Sequence, residues 1–194
     1  VIPLVEKGVI NGANKTIDVG KMVATFLLGS KQLYDYTNQN DRVLMMDVGY
    51  TNDPFVISRN PKVTAINSAL QVDLTGQICA DSLGTKCYSG VGGQVDFCYG
   101  ASRSLGGKAI IAMPSTTEKG ISKIAPVLLP GAGVVTTRAH AHWLVTEYGA
   151  VNLYGRSLQE RARLIISIAH PSHREALDRA AFERFGTHFH FVKK

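Results

Sequence analysis

The chain has 194 residues, of which 45% are hydrophobic and 19% are charged, and this balance excludes a disordered polypeptide. Its net charge of +6 is moderate, and its lysines and arginines are scattered, so the charge does not indicate nucleic-acid binding. The apolar runs, such as residues 23–28, are far too short to span a bilayer, and no signal peptide is recognisable. An odd number of cysteines, three, without a Cys-x-x-Cys spacing favours a reducing compartment.

The first third of the chain is predicted to begin with helices and then change to strands. The chain opens inside a predicted helix at residues 2–7 and lacks an initial Met. We therefore expect it to be part of a longer protein. Apolar periodicity over residues 17–28 predicts a helix that ends at Gly29, and Ser30 can cap a further helix through Tyr36. The later pattern predicts strands at residues 43–46, 55–57, 63–74, 76–80, 109–113, 134–137 and 142–146.

The last third is predicted to be helical. Ser157-x-x-Glu160 has the spacing of a capping box before a helix that Pro171 ends, and Ser172-x-x-Glu175 repeats that spacing before a second helix. Residues 187–194 alternate His and Phe, which is typical of a last strand. The mixture predicts an α/β domain whose helices pack on a largely parallel or mixed sheet.

The most informative motif is the glycine-rich stretch Ser89-Gly-Val-Gly-Gly-Gln-Val-Asp-Phe97. Without Cβ atoms, neighbouring backbone N–H groups can approach a ligand closely and hold a phosphate or a developing oxyanion. The third glycine of a dinucleotide fingerprint would fall at Val95, and no Gly-Lys-Ser/Thr follows, so neither that fold nor a P-loop fits. The plainer alternative is a glycine-rich turn between two strands, and the motif alone does not separate the two interpretations.

Further blocks accompany the glycine stretch in a fixed order, at residues 65–69, 72–77, 104–108, 110–116, 145–149 and 168–171. Together, from Leu4 to about Leu177, they resemble the C-terminal domain of the acetyl-CoA hydrolase/transferase family. These are class I CoA transferases, which include 4-hydroxybutyrate and acetate:succinate CoA-transferases. The resemblance implies an open α/β sheet, related to the sugar-phosphate isomerases, with helices packed on it. It also implies that residues 1–194 are the C-terminal domain of a longer two-domain protein.

The family's substrates and partners follow from the same resemblance. They are coenzyme A, acyl-CoA and short-chain carboxylates, with no covalently bound cofactor. The resemblance also implies a homo-oligomer and a missing N-terminal domain. With the free cysteines, it predicts an intracellular location, in the cytoplasm or the mitochondrial matrix, and neither nucleic acid nor membrane as a partner.

Class I transfer needs a carboxylate nucleophile that forms an anhydride and then a glutamyl-CoA thioester. In the family this glutamate lies in a His-Thr-Glu segment a few residues before the counterpart of Val1, and no such tripeptide occurs here. Glu6 follows that site and is not assigned the role. The resemblance therefore implies that this chain supplies the partner half of an active site.

By resemblance, three residues act on the reaction itself. The N–H of Gly93 and a side-chain amide, placed at Asn60 with Asn67 as the alternative, donate to the developing oxyanion. Glu147 is a second functional carboxylate. For each asparagine the plainer alternative is a turn or edge residue that satisfies its own backbone, and for Glu147 it is a surface salt bridge.

The other site residues implied by the resemblance contact coenzyme A. Ser89, Gly92, Gly93 and Gln94 belong to the glycine stretch, and Lys119 matches a basic residue that contacts a CoA phosphate. The plainer alternative for Lys119 is a solvated lysine.

The histidines form two pairs at strand spacing, His140 with His142 and His188 with His190. No Cys or carboxylate stands at ligand spacing nearby, so we predict no metal site.

Three functions remain open from the sequence: a CoA-transferase, an acetyl-CoA hydrolase, or a non-catalytic module that binds CoA or a nucleotide. The sequence does not separate the first two, because the exclusion of water depends on the shape of the cleft.

Overall fold

A computed structural model of the chain describes residues 1–186, so the strand predicted over 187–194 lies outside the described residues. The chain divides into two compact units. Unit 1 comprises Val1–Val63 with Gly100–Gly107. Unit 2 comprises Thr64–Tyr99 with the described residues from Lys108 onward.

Unit 1 consists of short helices and a small parallel sheet. Its elements are α1 (Ile2–Glu6), β1 (Met22–Ala24), α2 (Lys31–Thr37), β2 (Val43–Met45), α3 (Val48–Thr51) and α4 (Pro54–Ser58). The two strands β1 and β2 run parallel, with Met22 opposite Val43. The helices predicted at the start of the chain and after Ser30 are confirmed.

Two predictions for unit 1 are wrong. The helix predicted over residues 17–28 is replaced by β1, and the left-handed backbone at Asp18 (φ 47°) and Gly20 (φ 73°) explains why a helix cannot continue there. The strand predicted over 55–57 is helix α4, because Pro54 suits the first helical turn and the side chain of Asp53 caps it by accepting the N–H of Phe55 at 2.7 Å.

Unit 2 carries the larger sheets and the longer helices. Its elements are β3 (Thr64–Asn67), β4 (Gln71–Asp73), β5 (Ile78–Cys79), β6 (Ser82–Leu83), β7 (Lys86–Cys87), α5 (Gln94–Arg103), β8 (Lys108–Ala112), β9 (Ile124–Ala125), β10 (Trp143–Thr146), β11 (Gly149–Asn152), α6 (Leu158–Ser167) and α7 (Pro171–Phe185). Helix α5 begins in unit 2, and its last residues belong to unit 1.

The sheets of unit 2 are mixed, as predicted. The four-stranded sheet has the order β11-β10-β8-β3, in which β3, β8 and β10 are parallel and β11 is antiparallel. A three-stranded sheet has the order β5-β4-β9, and β6 with β7 forms a hairpin. Residues 134–137, predicted as a strand, form no regular strand, and Thr136 makes only an isolated bridge to Ile78.

The core of unit 2 lies between the sheets and the two C-terminal helices. Buried apolar side chains come from the strands, including Ala109 and Ile111 of β8, and from α6, including Ile165 and Ile166. Helices α6 and α7 pack against each other. Because the period of the apolar side chains matches each element, this core follows from the sequence pattern.

The two helix starts predicted from the capping-box spacing have different outcomes. The box at Ser157 and Glu160 is confirmed, since the Ser157 hydroxyl accepts the N–H of Glu160 and the Glu160 carboxylate accepts the N–H of Ser157. The box at Ser172 is wrong, because α7 starts earlier, with Pro171 in its first turn. There the His170 imidazole Nδ1 accepts the N–H of Ser172 at 3.2 Å.

Candidate active site at the carboxyl edge of the parallel strands

The parallel strands of unit 2 bring predicted site residues to one edge of the sheet. Asn67 is the last residue of β3, and Glu147 directly follows β10. Ser115 lies three residues beyond the end of β8, the strand between them. The carboxyl ends of parallel strands are where ligand sites form in open α/β sheets.

Glu147 is held at this edge by Ser115. The Ser115 N–H donates to one carboxylate oxygen at 2.9 Å, and the Ser115 hydroxyl donates to the other at 2.5 Å. The hydroxyl hydrogen bond is the main cause that lowers the pKa of Glu147, desolvation opposes it, and backbone hydrogen bonds and the charge of His170 lower that pKa further. Glu147 is therefore an ionised carboxylate in a fixed position, and none of the ion pairs within residues 1–186 includes it.

The turn that carries Glu147 is fixed to the short segment between α6 and α7. The Thr146 hydroxyl donates to the Ile168 carbonyl at 2.6 Å and accepts the N–H of Tyr148 at 3.1 Å. The Tyr148 ring lies edge-on to His170, with ring centroids 5.5 Å apart. The glutamate thus lies on a turn whose backbone and neighbouring aromatic side chain are both anchored.

The glycine stretch joins a strand to a helix rather than two strands. Residues 88–93 lead from β7 into α5, and Gly92 has left-handed backbone (φ 65°), which a glycine adopts without strain. The Gly93 carbonyl accepts the N–H of Phe97 at 3.1 Å, so Gly93 occupies the N-terminal end of α5. In the part of the chain that the structure describes, the Gly93 N–H donates no hydrogen bond. At a helix start this N–H can serve an anion or a developing oxyanion.

The side chain of Gln94 ties this loop to the same edge of the sheet. Its amide nitrogen donates to the Ser68 carbonyl at 2.7 Å, and Ser68 directly follows β3. Its amide oxygen accepts the Thr136 hydroxyl at 3.0 Å. Both ends of the Gln94 amide are thus engaged by the protein. Ser89 is exposed, and its hydroxyl donates to the Gly90 carbonyl within the loop at 2.9 Å.

The two candidate amide donors lie in different units. Asn60 is half-buried in unit 1, where its side-chain oxygen accepts the N–H groups of Thr16 at 2.9 Å and Ile17 at 3.3 Å. This oxygen ties distant parts of the chain together and does not satisfy the backbone of Asn60 itself, as the plainer alternative expected. Within residues 1–186 the Asn60 amide nitrogen donates no hydrogen bond. Asn67, in unit 2, has its amide nitrogen 3.8 Å from the Cys98 sulfur, a weak contact.

Lys119 lies on the loop between β8 and β9. It is exposed, and it makes no hydrogen bond or ion pair with another residue of the described range.

Two further residues of this region, Ser115 and His173, had no role predicted from the sequence. Ser115 belongs to one of the family blocks, whereas His173, which contacts the Lys119 loop, had no signal in the sequence.

No group of three or more His, Cys, Asp and Glu side chains within residues 1–186 could hold a metal ion. His140 packs against Tyr99 and His142 against Tyr154, while the pair His188 and His190 lies outside the described residues.

A separate cavity of about 510 Å³ lies in unit 1, and its lining contains none of the predicted site residues. No helix within the described residues is long and apolar enough to cross a membrane.

A family model described as the acetyl-CoA hydrolase/transferase C-terminal domain matches residues 29–181. The chain belongs to this family. The resemblance and the fold class predicted from the sequence are thereby confirmed.

Two similar relatives of the chain are named CoA transferases. It is 51% identical over 186 residues to a succinyl-CoA:acetate/propanoyl-CoA:succinate CoA transferase of Fasciola hepatica. It is 52% identical over 186 residues to a 4-hydroxybutyrate coenzyme A transferase of Clostridium kluyveri. Each match covers 95% of this chain but only 39% and 43% of the respective relative, so the chain spans about two fifths of their length.

Solved structures of the family superpose closely on the chain. RipA from Yersinia pestis is 43% identical, with a TM-score of 0.89 over 94% of this chain and 41% of that structure. A 4-hydroxybutyrate CoA-transferase from Porphyromonas gingivalis is 40% identical, with a TM-score of 0.81 over 95% of this chain and 43% of that structure.

Proposed function

We propose that this chain is the CoA-binding C-terminal half of a carboxylate CoA-transferase. The observation that carries the proposal is the shared edge of the parallel sheet. At this edge Ser115 holds the ionised Glu147, and Gln94 ties the glycine loop to the end of β3. The chain that carries both features belongs to the acetyl-CoA hydrolase/transferase family. The nucleophilic glutamate is proposed to lie upstream, in the part of the relatives that this chain does not match.

The reaction class assigns each group a role. The upstream carboxylate attacks the acyl thioester and displaces CoA to give an acyl-glutamyl anhydride, and the CoA thiolate then attacks the glutamyl carbonyl to give a glutamyl-CoA thioester and free acid. Each attack places negative charge on a carbonyl oxygen, which we propose is stabilised by the Gly93 N–H and the amide of Asn60, with Asn67 as the alternative. Glu147, whose charge Ser115 maintains, orients the nucleophile or the incoming acid.

CoA binding is assigned to the loop and to one lysine. Gly92 and Gly93 let the backbone approach the thioester. Ser89 lies at the start of the loop, and the N-terminal end of α5 follows it. Lys119, an exposed cation without a partner in the described range, supplies charge to a CoA phosphate.

The substrate class is proposed from the names of the relatives, which act on short-chain acyl groups such as succinyl, propanoyl and 4-hydroxybutyrate. An intracellular location, in the cytoplasm or the mitochondrial matrix, and a homo-oligomer are proposed from the family resemblance, not from these names. Free cysteines and the intracellular supply of CoA thioesters support that location.

The test is a search for the covalent intermediate in the full-length enzyme. Incubation with succinyl-CoA and no acceptor should release succinate and give a protein whose intact mass has increased by one CoA less one water. Addition of acetate should discharge this CoA as acetyl-CoA. Decay of the adduct in buffer as fast as in acetate would favour an acetyl-CoA hydrolase, the activity named for a Yarrowia lipolytica relative that is 32% identical. Binding of CoA with no adduct would favour a non-catalytic module.

A further inference from the structure

Lys119 lies near the tip of a closed hairpin formed by residues 116–122. Thr116 and Ser122 form an antiparallel bridge, and the Thr117 N–H donates to the Ile121 carbonyl at 2.8 Å. Lys119 is therefore carried by a backbone whose own hydrogen bonds define its shape.

The base of this hairpin adjoins the Glu147 site. The Lys123 N–H donates to the Ser115 carbonyl at 2.9 Å, and Ser115 is the residue that holds Glu147. A displacement of the hairpin would move Lys119 relative to the rest of the candidate site.

The tip of the hairpin is tied to helix α7 by a histidine. Nε2 of His173 lies 2.9 Å from the Gly120 carbonyl oxygen, a contact between residues 53 positions apart. A carbonyl oxygen only accepts, so Nε2 carries the proton and donates. Gly120 has left-handed backbone (φ 76°) and directly follows Lys119. The bond therefore fixes the peptide between Gly120 and Ile121, one residue beyond the lysine.

We propose that His173 is a positioning residue, which holds the hairpin tip so that the Lys119 ammonium meets a phosphate of the CoA thioester. This inference rests on the role of Lys119 in the proposed function. A lysine side chain loses much conformational freedom when it binds, and a mobile backbone would add to that loss. We expect this contact to be equally strong in the ground and transition states, so that its loss raises KM rather than lowering kcat.

Steady-state kinetics of the full-length enzyme with acyl-CoA as the varied substrate test the proposal. His173→Phe keeps a ring but removes the donor, and we expect KM for acyl-CoA to rise about fivefold, the equivalent of one hydrogen bond, with kcat unchanged. His173→Gln places an amide nitrogen near the position of Nε2 and should restore most of the affinity. His173→Asn is too short to reach and should resemble His173→Phe.

A double-mutant cycle with Lys119→Met separates positioning from general stability. If His173 acts through Lys119, then His173→Phe adds nothing to the KM of the Lys119→Met enzyme. The inference is overturned if the two effects on KM multiply, if His173→Phe leaves KM unchanged while Lys119→Met raises it, or if Gln does not rescue. An unchanged KM in Lys119→Met overturns both this inference and the role of Lys119. The covalent-adduct experiment reports on the transferase function separately.

Discussion

At the scale of single residues, the contact between Ser115 and Glu147 explains why the glutamate of the motif at residues 145–149 is ionised and fixed in position. The two residues are 32 positions apart, and the sequence alone gives no reason to connect them. The structure replaces the expected alternative of a surface salt bridge with two hydrogen bonds that hold an ionised carboxylate. The catalytic role of Glu147 stays a proposal, but its charge and position now have a physical cause.

Acid titration tests the pair. The folded state lowers the pKa of Glu147 below the ordinary value of 4.5, so its contribution to stability is complete above the unfolded-state pKa. That contribution is lost as the pH falls through the folded-state pKa. We therefore expect Glu147→Gln to lower the urea midpoint at pH 7, and the difference from the unaltered protein to shrink below pH 4.5. A difference that stays constant across this range would show that ionisation of Glu147 does not matter to the fold.

Gly93 allows a sharper kinetic prediction. In the full-length enzyme, Gly93→Val adds a branched side chain beside the N–H proposed to donate to the oxyanion, and we expect kcat to fall about 100- to 1000-fold. The matched control is Gly90→Ala, because a Cβ at that loop position meets no heavy atom within 4 Å. Both variants should keep their circular dichroism spectra. A folded Gly93→Val enzyme with near-normal kcat would assign the loop a purely structural role.

At the scale of elements, the family block at residues 72–77 is a turn locked by one buried carboxylate. Asp73 is fully buried, and one of its oxygens accepts the N–H groups of Thr75 at 2.8 Å and Gln77 at 3.0 Å, with the Thr75 hydroxyl at 2.7 Å. The other oxygen accepts the Gln77 side-chain amide at 3.0 Å. The Arg161 guanidinium, also buried, donates to the Thr75 carbonyl at 3.2 Å. This block shapes the turn between β4 and β5 and contributes no residue to the candidate site.

Removal of this carboxylate should therefore destabilise the chain strongly. Asp73→Ala leaves several buried donors without an acceptor, and we expect a loss of about 3 kcal/mol or more in the free energy of unfolding. Asp35→Ala is the control, since Asp35 is exposed and, among residues 1–186, pairs only with Lys31 on the surface of α2. Equilibrium denaturation in urea measures both. Similar midpoints for the two variants would contradict the proposed role of the turn.

At the scale of the whole molecule, the proposed function places the nucleophilic glutamate outside this chain. Purified alone, the chain should transfer no CoA from acetyl-CoA to succinate or butyrate, because the proposed nucleophile lies outside it. It should still bind CoA weakly, which isothermal titration calorimetry can measure, and Lys119→Met should weaken that binding. Turnover above a buffer control would show that the nucleophile lies within residues 1–194.

The sequence by itself determined the family, the fold class and most of the elements of unit 2. Short apolar strands such as Lys108–Ala112 and the capped helix after Ser157 carry local signals, because period and capping chemistry depend on neighbours a few residues away. The same local rules failed where another local interaction was stronger. The left-handed residues Asp18 and Gly20 interrupted a helical pattern, and His170 with Pro171 started α7 in place of Ser172.

Only the tertiary structure decided which side chains meet. The sequence named Glu147 and Lys119, but it did not show that Ser115 holds the first or that His173 holds the backbone beside the second. These contacts join residues 32 and 53 positions apart. The first exists because β8 and β10 are parallel neighbours, which brings the segments after them together. The second exists because α7 lies beside the hairpin of residues 116–122. Periodicity and propensity report on neighbours along the chain, whereas a hydrogen bond between distant residues depends on the path of the whole backbone.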